Sequence, residues 1–149
     1  MSDSIRIERR EKKIEVNDNG DFIILPLGNQ EFIPKMLDLL NDFQENAKQQ
    51  QERVEQISEM PEELEKVSAA ASLNLEMCRQ LVNRVNDLFG ADACQKIFGV
   101  GVPSLFAFAD FFDQLAPLIR KYADEESAVS HERVRKYSVK YKDGGINGG

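Results

Sequence analysis

The chain begins with short segments in which apolar and charged residues alternate. "IRIER" and "KKIEV" follow a period of two, and "FIILPL" is a short apolar run; both patterns are typical of β-strands. Asn19-Gly20, within "NDNGD", supplies residues that a tight hairpin turn prefers. Residues 1–30 therefore predict a small N-terminal β element, either a hairpin or a three-stranded sheet, which must pack on other elements to be stable.

From Glu31 the apolar spacing changes to three and four, which predicts a long amphipathic helix through "EFIPKMLDLLNDFQENAKQQQERVEQISEM". Pro34 falls in its first turn, where a helix tolerates proline. The apolar positions form a narrow stripe like that of a coiled coil. The predicted stripe consists of Leu40, Phe43, Ala47, Val54 and Ile57.

A second amphipathic helix follows Pro61 and ends near Gly90, a residue that commonly terminates helices. With Pro61 as the joint, the first two helices are expected to fold back as an antiparallel pair. The stripe of the second helix continues the same spacing through Leu64, Val67, Ala71, Leu75, Cys78, Val82, Val85 and Phe89.

Two more helical segments complete a helical domain predicted for residues 31–123. "ADACQKIFG" covers about two helical turns and ends at Gly99. The fourth helix starts near Pro103 and has a wide apolar face, and Pro117 within it is expected to kink or weaken it. The predicted class is mainly α, a helical bundle with long amphipathic helices and the small β element.

Residues 124–149 are predicted to be a polar C-terminal segment with a flexible Gly-rich tail, "DGGINGG". Tyr137, Val139 and Tyr141 alternate with polar residues there. This alternation is compatible with a short strand at residues 137–141 that adds to the N-terminal hairpin, and the sequence leaves open whether the strand forms.

The 149-residue chain carries a net charge of −7, which argues against nucleic acid as its main partner. Its apolar runs are too short to span a bilayer, and its first residues lack the apolar core of a secretory signal. The expected location is the cytoplasm. Cys78 and Cys94 fall on apolar helix positions and are predicted to be buried, reduced thiols rather than a disulfide or metal site.

Sequence patterns that carry catalysis are not found in the chain. His131, its one histidine, stands among polar residues, where a general base would lack a fixed setting. Asp110 and Asp113 are expected on the wet side of the fourth helix. No nucleophile elbow, phosphate-binding loop or zinc-protease motif is present. The sequence therefore predicts a protein that is not an enzyme, with no catalytic residues, no cofactor and no bound metal.

The most distinctive stretch, residues 87–112, holds six of the nine phenylalanines. Phe89, Phe98, Phe108 and Phe112 fall on helix faces that are expected to point inward. Phe106 falls on the opposite side of the fourth helix from Phe108, and Phe111 falls near the edge of the apolar face. Such a helix is either central to the fold or partly covered by a partner, and the two roles are compatible. The candidate partner-binding residues are Phe89, Phe98, Phe106, Phe108, Phe111, Phe112 and Leu115.

This stretch also resembles a known family. "VNDLFGADACQKIFG" followed by "SLFAFADFFDQLAPLI" resembles the C-terminal half of small tail-assembly chaperones of long-tailed, siphovirus-type phages and prophages of Gram-positive bacteria. The remainder of the chain resembles the family only in its layout of short strands followed by helices. The residues that carry the resemblance are Phe89, Gly90, Cys94, Lys96, Ile97, Phe98, Gly99, Phe108, Phe112 and Leu115.

The resemblance implies a chaperone that binds the tape-measure protein, recruits tail-tube subunits in the host cytoplasm, and is absent from the mature virion. It also implies a longer frameshifted form, for which the Gly-rich end would serve as a joint. The apolar stripes of the first two helices are also suited to self-association into a homo-oligomer. The alternative function is a structural or adaptor protein that stays in a phage tail or other assembly.

Overall fold

A computed structural model describes residues 2–59 and 63–141. The fold is mainly α with a two-stranded N-terminal hairpin, as the sequence predicts. The elements in chain order are β1 (Lys12–Glu15), β2 (Phe22–Leu25), α1 (Phe32–Ser58), α2 (Glu63–Phe89), α3 (Ala93–Phe98) and α4 (Leu105–Tyr141). The chain divides into two compact units, residues 1–113 and 114–149.

The hairpin is antiparallel, with Lys12 opposite Leu25 and Glu15 opposite Phe22. Ile23 and Leu25 are buried, and β2 contacts α2 and α3. A two-stranded sheet is marginal in water by itself. The hairpin is therefore stabilised by packing its inner face on the helices.

The turn between the strands uses the predicted Asn19-Gly20 pair, with Gly20 at a φ of 85°. Asn17 organises it, because its Oδ1 accepts hydrogen bonds from the backbone N of Asn19 at 2.8 Å and of Asp21 at 3.2 Å. An asparagine side chain that bonds the backbone two residues on imitates a turn. The sequence pattern located the turn but did not assign this role to Asn17.

"IRIER", residues 5–9, is extended but does not form a third strand, and the sheet has two strands in the described part of the chain. The physical reason is the path of the chain after β2. Gly28 N donates to Arg10 O at 2.7 Å, and the backbone then turns into α1 from Phe32. β2 thus ends before it can pair with residues 5–9.

The first two helices run antiparallel, as predicted. Phe32 at the start of α1 contacts Phe89 at the end of α2, with ring centroids 5.8 Å apart. Farther along, Arg84 Nη1 lies 2.6 Å from Asp42 Oδ2. Both side chains of this ion pair are partly exposed, so it contributes only about 0.2–1 kcal/mol. Apolar packing carries the stability of the pair.

The buried positions of α1 begin earlier than predicted, with Phe32, Met36 and Leu39. Leu40 and Phe43 are half-buried and Ala47 is exposed, whereas the side chains of Val54 and Ile57 lie outside the described residues. The period of three and four is right, and Phe43 of the predicted stripe packs on Phe112, but the buried positions start earlier than predicted. In the first turn of α1, Phe32 packs on Phe89 of α2, which explains why Phe32 is buried.

Only the second half of α2 is buried, through Cys78, Leu81 and Val85. Leu64 and Val67, which belong to the same predicted stripe, are exposed. Helix α3 packs on the second half of α2, where Cys94 bonds to Asn86 and Val82. This packing explains why only the second half is buried.

Helix α4 begins after Ser104, whose Oγ accepts a hydrogen bond from the backbone N of Ala107 at 3.2 Å. That is the geometry of an N-cap serine. Pro103 therefore lies just before the cap and is buried. The helix continues through Pro117, and none of the helices in residues 2–59 and 63–141 has an apolar stretch able to cross a bilayer.

Residues 137–141 form the end of α4, so the strand that the sequence left open at this position does not form. Residues before them favour a helix, and Arg135 Nη2 pairs with Glu132 Oε1 at 2.8 Å, three positions apart. Extending an existing helix costs less than nucleating a new element. The predicted Gly-rich tail, residues 142–149, lies outside the described residues.

Candidate protein-binding surface

Four phenylalanines from α3 and α4 and the end of α2 form a connected aromatic cluster. Phe98 of α3 meets Phe108 and Phe111 of α4 edge to face, with ring centroids 5.0 and 5.6 Å apart. Phe89 of α2 meets Phe111 at 6.3 Å. Edge-to-face pairs at these distances add about 0.5–1.5 kcal/mol beyond the burial of their area. The phenylalanines of both FG dipeptides, Phe89 and Phe98, thus make contacts in the core.

Helix α1 joins the same cluster through two further rings. Phe43 meets Phe112 edge to face at 5.0 Å, and Phe112 stacks on Phe108 at 6.1 Å. Phe32 reaches the cluster through Phe89. The sequence analysis did not include Phe32 in this cluster. The sequence did contain a signal, because Phe32 is the first apolar residue of the segment that has a helical apolar spacing.

The seven candidate partner-binding residues divide by exposure. Phe108, Phe112 and Leu115 are buried, at 0%, 4% and 2% exposed, so they offer no surface in this conformation. The expectation that Phe108 and Phe112 point inward is confirmed. Three others are half-buried, namely Phe89, Phe98 and Phe111.

Phe106 differs from the other six, because 82% of its side chain is exposed. Val100 and Val102, in the loop before α4, are also exposed, at 50% and 41%. We call Val100, Val102 and Phe106 the Phe106 patch. Asp110 and Asp113 are exposed on the same helix, as expected. An aromatic side chain this exposed marks a candidate contact with another molecule.

A second exposed apolar surface lies on the first half of α2. Leu64, Val67 and Leu75 are 81%, 61% and 42% exposed and follow the helical spacing that places them on one face. We call these three residues the α2 stripe. All three residues belong to the apolar stripe that the sequence predicted for the second helix.

Both glycines of the FG dipeptides end helices. Gly90 follows α2 with a φ of 123°, and Gly99 follows α3 with a φ of 76° and donates its N–H to Gln95 O at 2.9 Å. Residues with side chains avoid this left-handed region. Asn86 Oδ1 also accepts from Cys94 N at 3.0 Å and fixes α3 against α2.

Gly99→Ala is expected to lower the free energy of unfolding by about 1–2 kcal/mol, because a side chain is strained at positive φ. Nothing lies within 4 Å of a Cβ added at Gly99 or at Gly101, so an alanine at either position makes no new packing contact. Gly101, which lacks a positive φ, is the matched control, and Gly101→Ala should be neutral or slightly stabilising. Urea denaturation of both variants measures the difference; equal losses would contradict the backbone explanation.

Cys78 and Cys94 are buried free thiols, as predicted. Burial raises the pKa of the Cys94 thiol to about 11, and its Sγ lies 3.9 Å from Val82 O. Burial also raises the pKa of the Cys78 thiol. A thiolate is the reactive form of cysteine, so both side chains should react slowly in the folded chain.

Stability should fall with rising pH between about 9 and 11 because of Cys94. The unfolded thiol loses its proton near its ordinary pKa of 9.0, whereas the folded thiol keeps it until about pH 11. Rising pH therefore favours the unfolded state across this window. Urea midpoints measured from pH 8 to 11 should decline less steeply in Cys94→Ala than in the parent chain; parallel slopes would refute this contribution.

A polar cleft of about 510 Å³ lies between the hairpin turn and α3. Asn17 Nδ2 bridges the two sides, donating to Lys96 O at 3.0 Å and Asp21 Oδ2 at 2.8 Å. Lys96 Nζ lies 3.4 Å from Asp92 Oδ2. These bonds attach the hairpin turn to α3 and so help to position the KIFG residues.

His131 is exposed on α4, in agreement with the predicted surface position. Within residues 2–59 and 63–141, no three His, Cys, Asp or Glu side chains form a group able to hold a metal ion. The exposed side chains of the Phe106 patch and of the α2 stripe are candidate recognition surfaces, and both suit apolar contacts.

A model of a protein family described as one of unknown function, DUF6673, matches residues 29–143. The chain belongs to the DUF6673 family. The DUF6673 region starts at Asn29, whose Oδ1 accepts from Glu31 N at 3.0 Å just before α1, so it includes α1 to α4 and leaves β1 and β2 outside. No curated protein and no solved structure matches the chain.

Proposed function

We propose that this protein is a tail-assembly chaperone of a long-tailed phage or prophage. It binds the tape-measure protein and recruits tail-tube subunits while the tail is assembled. The observation that carries the proposal is the exposure of the α2 stripe together with Phe106, on either side of the FG–KIFG segment that resembles the family. Binding apolar surface on a second chain is what a holding chaperone requires.

The proposed mechanism is packing of an apolar face of the client on the α2 stripe. Leu64, Val67 and Leu75 lie along one face of α2, so they can meet residues spaced by three and four on a client helix. Phe106 supplies an exposed ring, and rings are frequent anchors in protein interfaces. Phe108, which is fully buried and lies two residues from Phe106, anchors this part of α4 in the core.

The charge of the chain supports the same role. With a net charge of −7, copies of a complex with an apolar client repel one another, which opposes their aggregation. We place the protein in the cytoplasm of the infected or lysogenic host and outside the finished particle. These locations follow from the proposed role.

The experiment is co-expression with a fragment of the tape-measure protein from the same gene neighbourhood. The fragment is expected to stay in the soluble fraction and to co-elute with the chaperone in size-exclusion chromatography. Phe106→Asp is expected to weaken that complex while the chain remains folded, because the ring is exposed. A fragment that stays insoluble, with no complex eluting, would remove the proposal's support.

The alternative is a structural or adaptor protein retained in a tail or another assembly. It predicts the same exposed apolar surface but a different fate. Mass spectrometry of purified particles separates the two, because the chaperone should be missing from them and the adaptor should be present in fixed proportion to the tail subunits.

A further inference from the structure

The segment before β1, residues 2–9, forms an arm without helix, turn or bend, and every one of these residues is exposed. Ile5 and Ile7 are 88% and 81% exposed, and they alternate with Arg6 and Glu8 as in a strand with one apolar face. Two exposed isoleucines at this spacing are a large apolar surface for so short a segment.

The backbone of the arm has no partner among the described residues. Of residues 2–9, only Glu8 takes part in a hydrogen bond or ion pair, through its side chain to Arg10 at 3.3 Å. An extended segment with unpaired N–H and C=O groups is a template for pairing with another strand. The arm therefore has the backbone and the side chains of a strand whose partner is missing.

The arm cannot use its own hairpin as that partner. To pair with β1 it would have to turn back at Arg10-Glu11, but a two-residue hairpin turn needs positive φ, and no residue other than glycine has positive φ in residues 2–59 and 63–141. β2 ends at Leu25, and beyond it Gly28 N donates a hydrogen bond to Arg10 O at 2.7 Å. Residues 2–9 thus extend beyond the end of the sheet.

We infer that the arm pairs antiparallel with the arm of a second copy of this chain, about a two-fold axis at Arg6. In this register Asp3 lies opposite Arg9 and Ile5 lies opposite Ile7, and the symmetry makes each pair twice. Opposite charges and apolar pairs directly across an antiparallel ladder each stabilise it. The four isoleucines then form one apolar row on one face.

The charges also select this register over its neighbour. Arg6 lies opposite Arg6 of the partner subunit, but Glu8 of the partner subunit is its diagonal neighbour and compensates that repulsion. A register centred on Ile7 would instead place Asp3 opposite Glu11 twice, with like charges directly across. Registers centred between Arg6 and either neighbouring isoleucine would set an isoleucine opposite the charged Arg6 side chain.

The pairing is independent of the proposed chaperone role. The arm lies outside the DUF6673 region, which starts at residue 29, and it is separate from the α2 stripe and the Phe106 patch. An isolated two-stranded ribbon is marginal in water. Here each strand continues into a folded hairpin, which reduces the ordering cost, and we expect a weak, reversible dimer.

Disulfide trapping with two single-cysteine variants tests the register. At the two-fold axis, Arg6→Cys places two Cβ atoms about 4.5–5.5 Å apart, close enough for a disulfide after a small shift. Glu8→Cys is the matched control on the same face, because its two copies lie four residues apart, about 13 Å along the strands. Cys78 and Cys94 are buried and should stay reduced in the folded chain.

Under mild oxidation we expect Arg6→Cys to form a covalent dimer and Glu8→Cys to stay monomeric. Adding Ile5→Asp and Ile7→Asp to Arg6→Cys should reduce the dimer to the level of Glu8→Cys. Equal yields from both cysteine variants, dimers from neither, or dimers that survive the aspartates would overturn the inference. Binding of the tape-measure fragment by the aspartate variant should be unchanged, which separates this test from that of the chaperone role.

Discussion

Phe108→Ala is expected to lower the free energy of unfolding by about 3–5 kcal/mol, the usual cost of removing a buried aromatic side chain. Phe108 is 0% exposed and meets Phe98 at 5.0 Å and Phe112 at 6.1 Å. Its removal leaves a cavity at the point where α3 and α4 meet. Guanidinium denaturation with linear extrapolation measures the loss.

Phe106→Ala is the matched control, because it removes the same side chain from the same helix two residues away. Phe106 is 82% exposed, so the change should stay within about 0.5 kcal/mol. Similar losses in the two variants would mean that the aromatic cluster is not the core of residues 1–113. A stable Phe106→Ala variant is also the condition for interpreting any binding defect at that residue.

Replacing the α2 stripe by glutamine should weaken binding of the tape-measure fragment on the order of 100-fold. Leu64→Gln, Val67→Gln and Leu75→Gln together remove three apolar side chains that the complex would bury, each worth roughly 1 kcal/mol. Stability should change little, because these side chains are exposed and glutamine is a good helix former. Calorimetric titration of the fragment into each variant measures the affinity.

A second triple variant, which changes exposed polar residues of α2 and leaves the α2 stripe intact, provides the control. Glu65→Gln, Ser72→Gln and Arg79→Gln change three exposed residues and leave the net charge unaltered. This variant should bind the fragment with the affinity of the parent chain. If both triple variants bind equally well, or are equally impaired, the α2 stripe is not the client surface.

The elements that the sequence predicted well are those with long, consistent periods. Helices α1 and α2 keep a spacing of three and four over many turns, and Asn19-Gly20 is a strong hairpin signal. Tyr137 and Tyr141 show the limit of such patterns. Their alternation covers only five residues, which fits a helix face as well as a strand, and the helix already present upstream decided the outcome.

Periodicity identifies which face of a helix is apolar but not how far along the helix that face is covered. Leu64 and Val85 belong to one predicted stripe, yet Leu64 is 81% exposed and Val85 is fully buried. Coverage depends on elements elsewhere in the chain, such as the start of α1, where Phe32 packs on Phe89 at the end of α2. The candidate surface is therefore the part of the predicted stripe that the fold leaves uncovered.

The hairpin shows that the residues that match a sequence family and the residues that pack together in the fold can begin at different points of the chain. The match to the DUF6673 family starts at residue 29, whereas Ile23 and Leu25 of β2 are buried and Asn17 Nδ2 donates to the backbone of α3. A domain excised at residue 29 would therefore expose helical surface that the hairpin now covers.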